Sequence, residues 1–417
     1  MIRSPRGTND ILPNEINKWH YLEEAIRKIT SRYGYAEIRT PIFESTEVFS
    51  RSIGDTSDIV NKEMYTFMDR GENSITLRPE MTAALVRACI QNSLANRGEL
   101  ERLWYYGPFF RYERPQKGRF RQFHQFGAEC LSSPNPESDA EVILLAHSLI
   151  TDLGINEYTL NINSLGNSVS RDVYRENLVK YFSKYEGDLS DDSVRRLASN
   201  PLRILDSKDP KDIEIATEAP QIIDSLDSES RAHFDSVLNI LESINIKYNI
   251  SSKLVRGLDY YSHTVFEFQS NALGSQDSFG GGGRYDGLFE QLGGKFTPAV
   301  GFALGVERIL LIIDSLNKNN QDNSIDFYII TGEEEYIYKA FEISNTLRNQ
   351  GYKVVSDIQR KSFKSQMKDA NKYNAYNVII LAEREMSVGN FTLKNMESGE
   401  QQQLSIDKID NISEYIK

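Results

Sequence analysis

Cysteine is scarce. Cys89 and Cys130 are the only two in 417 residues. They lack metal-ligand spacing and permit at most one bridge, which excludes a disulfide-stapled scaffold. Cys89 falls in an apolar helical run and Cys130 at a strand end, so both are expected as buried, reduced thiols. Histidine is equally sparse. His20, His124, His147, His233 and His263 are scattered, and their spacing gives no zinc site. No stretch of eighteen apolar residues is present, which excludes a membrane-spanning helix. The start Met1-Ile2-Arg3-Ser4-Pro5-Arg6-Gly7 does not read as a signal peptide, so a cytoplasmic protein is expected. Positive charge is in deficit. A net charge of −12 argues against a surface that binds nucleic acid all over, while leaving room for local basic sites. There is no P-loop, metalloprotease histidine pair, nucleophile elbow or kinase signature, and no internal repeat.

What remains is the composition of a globular protein, 39% apolar and 26% charged, too long for one ordinary domain. Ile16, Trp19, Tyr21, Leu22, Ala25, Ile26 and Ile29 predict an amphipathic helix over 14–33 that ends at Gly34. A short strand from Tyr35 stops at Pro41, and a hairpin follows, Met64–Asp69 with Ser74–Leu77. Further strands are expected at Leu103–Tyr106, Phe109–Glu113, Arg121–Glu129, His263–Phe268 and Ala299–Leu304. Strands without regular helical alternation predict an α+β fold, an antiparallel sheet flanked by helices. Residues 170–250 read as a charged helical insertion. Residues 317–324, with no large apolar side chain, read as a linker. Beyond them strands and helices alternate, predicting a separate α/β domain with a parallel-rich sheet. The organisation expected is therefore 1–169, the insertion 170–250, 251–316, the linker 317–324 and 325–417.

Three segments carry chemistry. In Phe110–Phe126 the cations Arg111, Arg114, Lys117, Arg119 and Arg121 crowd together with interleaved aromatics, offset by Glu113. Such a hairpin suits phosphate binding and purine stacking. Gly301–Arg308 is a strand passing through glycine into a helix whose first turn exposes an arginine, which can place a cation over a phosphate. Leu254–Tyr261 crowds Arg256, Asp259, Tyr260 and Tyr261 into a polar pocket. The run Phe279–Tyr285, with four glycines, reads as a mobile loop over a site.

Taken in order, these elements resemble the motifs of class II aminoacyl-tRNA synthetases. Pro41, closing a strand after a long helix, looks like motif 1; Phe110–Phe123 looks like motif 2; Gly301–Arg308 looks like motif 3. Pro5-Arg6-Gly7-Thr8-Asn9-Asp10, Leu77-Arg78-Pro79-Glu80-Met81-Thr82-Ala83 and Arg256-Gly257-Leu258-Asp259-Tyr260-Tyr261 narrow the resemblance to the histidyl-tRNA synthetase family, across essentially the whole chain. Met81 departs from it, standing where many bacterial members have glycine.

The resemblance implies an ATP-dependent ligation of L-histidine to tRNA(His) through a histidyl-adenylate, with magnesium accompanying ATP. By matching position, Arg111 and Arg256 would flank the α-phosphate as catalytic residues. Arg308 would hold the γ-phosphate, Phe123 would stack the adenine, Glu113 would accept from its amino group, and Arg119 or Arg121 would add phosphate contacts. Glu80, Thr82 and Gln125 would bind the histidine ammonium, and Glu129, Tyr260 and Tyr261 its ring. Gln116 and Lys117 would meet the tRNA acceptor end, and Arg360, Lys361 and Lys364 the anticodon. Residues 325–417 would form the anticodon-binding domain, and motif 1 implies a homodimer. The alternative is the synthetase-like regulatory subunit of ATP phosphoribosyltransferase, which typically lacks that last domain and an intact set of site arginines.

Overall fold

The computed structural model describes residues 2–54, 59–95, 98–205, 207–252, 254, 258, 260–274, 277–316 and 324–416. Residues 1–319 and 320–417 form two compact units. Arg256 and its neighbours at 255, 257 and 259, and the linker residues 317–323, lie outside the described residues.

In the first unit, helix α1 (Ile16–Arg32) leads to a two-residue strand β1 (Ala36–Glu37) and a three-stranded sheet. That sheet has the order β2-β4-β3, from β2 (Phe43–Ser45), β3 (Tyr65–Met68) and β4 (Ser74–Leu77). Helices α2 (Thr46–Ile53) and α3 (Thr82–Asn92) lie between and after these strands. Two ten-residue strands follow, β5 (Glu101–Phe110) and β6 (Gln122–Leu131), then α4 (Pro136–Asp152) and β7 (Thr159–Ser164). Four helices follow, α5 (Ser168–Phe182), α6 (Asp191–Ser199), α7 (Pro210–Thr217) and α8 (Ser228–Ser243). The unit closes with β8 (Asn249–Ile250), β9 (Ser262–Gln269), β10 (Ser278–Arg284), α9 (Leu288–Gln291), β11 (Ala299–Gly305) and α10 (Val306–Ser315).

These strands build an eight-stranded sheet, β1-β5-β6-β11-β10-β9-β7-β8. Its pairings are antiparallel except at the two edges, where β1 runs parallel to β5 and β8 to β7. Period-two alternation divides its faces. Phe126, Ala128 and Cys130 of β6 and Phe302 and Leu304 of β11 point into a core with α1, α4, α8 and α10. Burying a side chain such as Phe126 stabilises by about 1.5–3 kcal/mol. The other face carries a second core with Leu85 of α3, Tyr105, Phe109 and Tyr174. Cys89 and Cys130 are both free and buried.

Two departures from the sequence reading have physical causes. The strands expected to break near Pro108 form one continuous strand, β5. Pro108 opposes His124, but the His124 amide donates to Glu307 and the Pro108 carbonyl accepts from Arg78. That pair therefore exchanges no ladder bond, and the missing proline N–H faces away from β6, beyond the end of β1. The run taken for a mobile loop over 279–285 is instead β10, a central strand between β9 and β11. Its glycines are there for space: a Cβ on Gly282 would lie 1.9 Å from the Gly301 carbonyl, and one on Gly280 would lie 2.2 Å from Leu304.

The second unit holds a five-stranded sheet, β13-β12-β14-β15-β16. It comprises β12 (Phe327–Thr331), β13 (Val354–Ser356), β14 (Asn377–Leu381), β15 (Asn390–Asn395) and β16 (Gln401–Ser405), with helices α11 (Ile337–Asn349), α12 (Phe363–Lys372) and α13 (Glu383–Met386). β12 pairs in parallel with β13 and β14, as the alternation predicts; β15 and β16 add an antiparallel hairpin that the sequence reading passed over.

Candidate active site

A cavity of about 400 Å³ opens over β6, β10 and β11. Glu80, Thr82, Arg111, Arg119, Phe123, Gln125, Glu129, Tyr260, Tyr261 and Arg308 all line it. Phe123, Gln125 and Glu129 reach it because they alternate on one face of β6, opposite to the core residues.

At the deep end lies Glu129, 1% exposed. One carboxylate oxygen accepts from the Thr82 hydroxyl at 3.0 Å, the other from the Tyr285 hydroxyl at 2.7 Å. Burial pushes its pKa up to about 8, against the pull of those two hydroxyls. Gly301 opposes Glu129 across the sheet, and a Cβ there would sit 1.5 Å from the carboxylate. Gly127 similarly clears the Tyr105 ring, since a Cβ would approach its hydroxyl to 2.3 Å. Tyr260 and Tyr261 are buried with ring centroids 4.7 Å apart, and Tyr260 meets Tyr285 edge-on at 5.8 Å. Burial raises the phenols of Tyr105, Tyr260 and Tyr285 well above the ordinary range, so they stand as neutral hydroxyls.

Glu80 does two things. Its oxygens accept from the amides of Thr82 at 2.7 Å and Ala83 at 2.9 Å, closing the first turn of α3. Burial nevertheless raises its pKa. Gln125 is different: its buried side-chain carbonyl has no hydrogen-bond partner among the described residues. An unsatisfied buried acceptor costs about 1–3 kcal/mol, which a cationic or N–H donor in the cavity would offset. Met81 also lines the cavity, with its sulfur drawn toward Thr40 and Arg78.

Nearer the surface the cavity is cationic. Arg111 donates from Nε to the Pro79 carbonyl at 2.8 Å, and its Cζ lies 5.3 Å from the Phe123 ring centre. Glu113 sits between Arg111, at 3.8 Å, and Arg119, at 3.6 Å, and is not among the residues lining the cavity. Arg308, in the first turn of α10, donates to the carbonyls of Gly118 and Ser278, tying the hairpin loop to β10. Its pKa is lowered by burial and by the neighbouring Arg119 cation. These two carbonyls fix the guanidinium in place at the mouth of the cavity.

Arg121 lies off the cavity: it packs over the Tyr112 ring at 3.7 Å and donates to the Glu113 carbonyl. Gln116 and Lys117 are exposed at a tight turn, where Gln116 and Arg119 exchange backbone hydrogen bonds and Gly118 has φ +72. Lys117 borders a second cavity of about 210 Å³ beside Trp19 and Asp314. In the second unit Arg360, with φ +54, pairs with Glu334 at 3.2 Å. Lys361 pairs with Asp369 at 2.6 Å, and Lys364 is exposed on α12.

Tyr285 and Tyr105 went unnoticed in the sequence. Tyr285 follows the glycine run that reads as a loop, whereas the alternation Leu103, Tyr105, Gly107, Phe109 already puts Tyr105 on the cavity face. Glu267 and Glu307 also reach the cavity, but among the described residues no three acidic, histidine or cysteine groups gather as a metal site. No helix among these residues is long and apolar enough to cross a membrane.

A model of the histidyl-tRNA synthetase family matches residues 7–309, and one of the anticodon binding domain matches residues 324–414. The chain is 48% identical to a histidine–tRNA ligase of Acaryochloris marina over 416 residues, 100% of this chain and 96% of that protein. It is similar to the apo crystal structure of Staphylococcus aureus histidyl-tRNA synthetase, with TM-score 0.85 and 37% identity over 99% of both chains. It is also similar, at TM-score 0.66 and 25% identity, to an ATP phosphoribosyltransferase regulatory subunit/histidyl-tRNA synthetase from Bacillus halodurans, covering 92% of this chain and 98% of that one.

Proposed function

The chain belongs to the histidyl-tRNA synthetase family and ligates histidine to tRNA, and from that premise we propose that it works in two steps through a histidyl-adenylate. Histidine's carboxylate attacks the α-phosphorus of ATP and expels pyrophosphate; the terminal hydroxyl of tRNA then takes the histidyl group and releases AMP. The observation that carries this reading is the polarity of the larger cavity, with buried acids among hydroxyls at one end and guanidiniums at the other. The first suits an imidazole and the second a triphosphate.

In this reading Glu129 accepts from a ring N–H, and Tyr261, with Tyr260 beside it, satisfies the other ring nitrogen. A pocket built on such bonds rejects isosteres that leave its polar groups unpaired. The side-chain carbonyl of Gln125, without a partner among the described residues, takes the α-ammonium together with Glu80 and Thr82. Arg111 bridges the substrate carboxylate and α-phosphate, where charge accumulates in the transition state. Arg308 and Arg119 take the outer phosphates, and Phe123 stacks the adenine with Glu113 near its amino group. Arg256 is assigned to the far side of the α-phosphate on its matching position alone. Magnesium arrives on ATP as part of the substrate and keeps mainly phosphate and water ligands.

Gln116 and Lys117, exposed at the hairpin tip, suit contact with the tRNA acceptor end. Arg360, Lys361 and Lys364 suit the anticodon, on residues 325–417. The three-stranded sheet supports a homodimer: Phe43, Tyr65, Phe67, Ile75 and Leu77 share one face by register, with Phe43 and Phe67 55% and 47% exposed. We place the enzyme in the cytoplasm and off the membrane. The decisive experiment is exchange of labelled pyrophosphate into ATP. Exchange that requires histidine supports adenylation, and its absence in folded protein favours the regulatory-subunit alternative.

A further inference from the structure

The helical insertion joins the sheet at its β7–β8 edge and straddles it. Tyr174, Leu178 and Phe182 of α5 pack into the cavity-side core, while Phe234, Val237 and Leu241 of α8 pack into the opposite one. The N-termini of α5 and α8 are clasped together. Asn167 caps α5 at the Ser170 amide, and Asp227 caps α8 at the Ser230 amide. The two caps also bond each other, and each backbone is held by the other helix: the Asp227 amide donates to the Ser170 hydroxyl and the Asn167 amide to that of Ser230. Gly166, at φ +65, enters this clasp where a Cβ would strike Ser170 at 2.5 Å.

The clasp is wired to the tyrosines of the cavity. The Gly166 carbonyl accepts from the His263 amide at 2.9 Å, and the His263 carbonyl accepts from the Leu165 amide at 2.7 Å. One turn into α5, Arg171 donates from Nη1 to the main-chain carbonyl of Tyr261 at 2.9 Å. Burial lowers the Arg171 pKa, and among the described residues its guanidinium forms no salt bridge. A half-buried cation held by a carbonyl is a costly way to pack a helix. A second arm comes from α8: His233 Nε2 lies 3.4 Å from Asp139, which pairs with the fully buried Arg284 next to Tyr285.

We propose that the helical insertion takes part in histidine recognition through Arg171, a positioning residue that holds the Tyr261 carbonyl and so keeps the Tyr260–Tyr261 pair facing Glu129. The proposal rests on the assignment of that pocket to histidine. Its consequence is that the insertion, whatever else it contacts, sets the affinity for the amino acid and leaves that for ATP alone.

The test compares Arg171→Met, which keeps the apolar stem, with Arg171→Lys, which keeps a donor. In pyrophosphate exchange, Arg171→Met should raise the histidine KM about 10-fold while the ATP KM stays within about twofold, and Arg171→Lys should recover most of the loss. An unchanged histidine KM in Arg171→Met, or equal rises in both KM values, would overturn the proposal. Calorimetric titration with histidine alone gives the same comparison. If wild-type protein binds histidine but shows no exchange, adenylation fails as a reading while the calorimetric ratio still decides the role of Arg171.

Discussion

At its deep end the cavity sets two buried carboxyls, Glu80 and Glu129, among neutral hydroxyls, and Gly301 and Gly127 leave no room for a further atom beside Glu129 and Tyr105. At its outer end Arg111, Arg119 and Arg308 are partly exposed and held by carbonyls or a shared Glu113. The contrast follows what each end has to do in the proposed reaction. Discriminating a small ring calls for polar partners fixed in a buried pocket, where a ligand unable to bond them costs most, so selectivity is built from burial. Stabilising charge that spreads during phosphoryl transfer calls for cations fixed in place before the reaction. Substitutions at the two ends should therefore act on different kinetic constants.

The largest effect is expected at Gly301. A methyl group there lands within 1.5 Å of the Glu129 carboxylate, so Gly301→Ala should lower kcat/KM for histidine by about 10³-fold or more. ATP binding, followed by fluorescence of an adenine analogue, should persist; its loss would mean that the two ends are not separable. Arg111→Ala comes next, with kcat in pyrophosphate exchange falling about 10²–10³-fold and the histidine KM changing little. A loss confined to the histidine KM would move Arg111 to the other end of the cavity.

The smallest effect concerns stability. The carboxyl of Glu129 moves from 4.5 in the unfolded chain to about 8 in the fold. Its folded-state preference for the proton is fully felt below pH 4.5, and the associated stability is lost as pH rises toward 8. Glu129→Gln removes this titration. The decline in melting temperature of the ligand-free protein between pH 5 and 8 should then be shallower than in wild type, by roughly 5 °C across the range. Parallel melting curves would show that Glu129 is ionised throughout.

Much of the site was legible because strand alternation is strict. Phe123, Gln125 and Glu129 share a parity, and Phe126, Ala128 and Cys130 take the other. The glycine run was misread for a physical reason. Glycine usually marks a turn, but in β10 it allows a strand to pass beneath a cavity and beside crowded neighbours, and that demand comes from β11 and not from the local sequence. Tyr285 was hidden with it. Arg121 shows the opposite failure, since cation density along the hairpin does not reveal which arginine turns toward Tyr112 and away from the cavity. The contact of Arg171 with Tyr261 joins residues ninety positions apart and has no sequence signature.

The most direct test of the division between the two ends is the pair of Michaelis constants for Glu129→Ala in histidine-dependent pyrophosphate exchange. A histidine KM raised about 100-fold beside an ATP KM within about twofold of wild type is the expected result. Equal changes in both constants would contradict it.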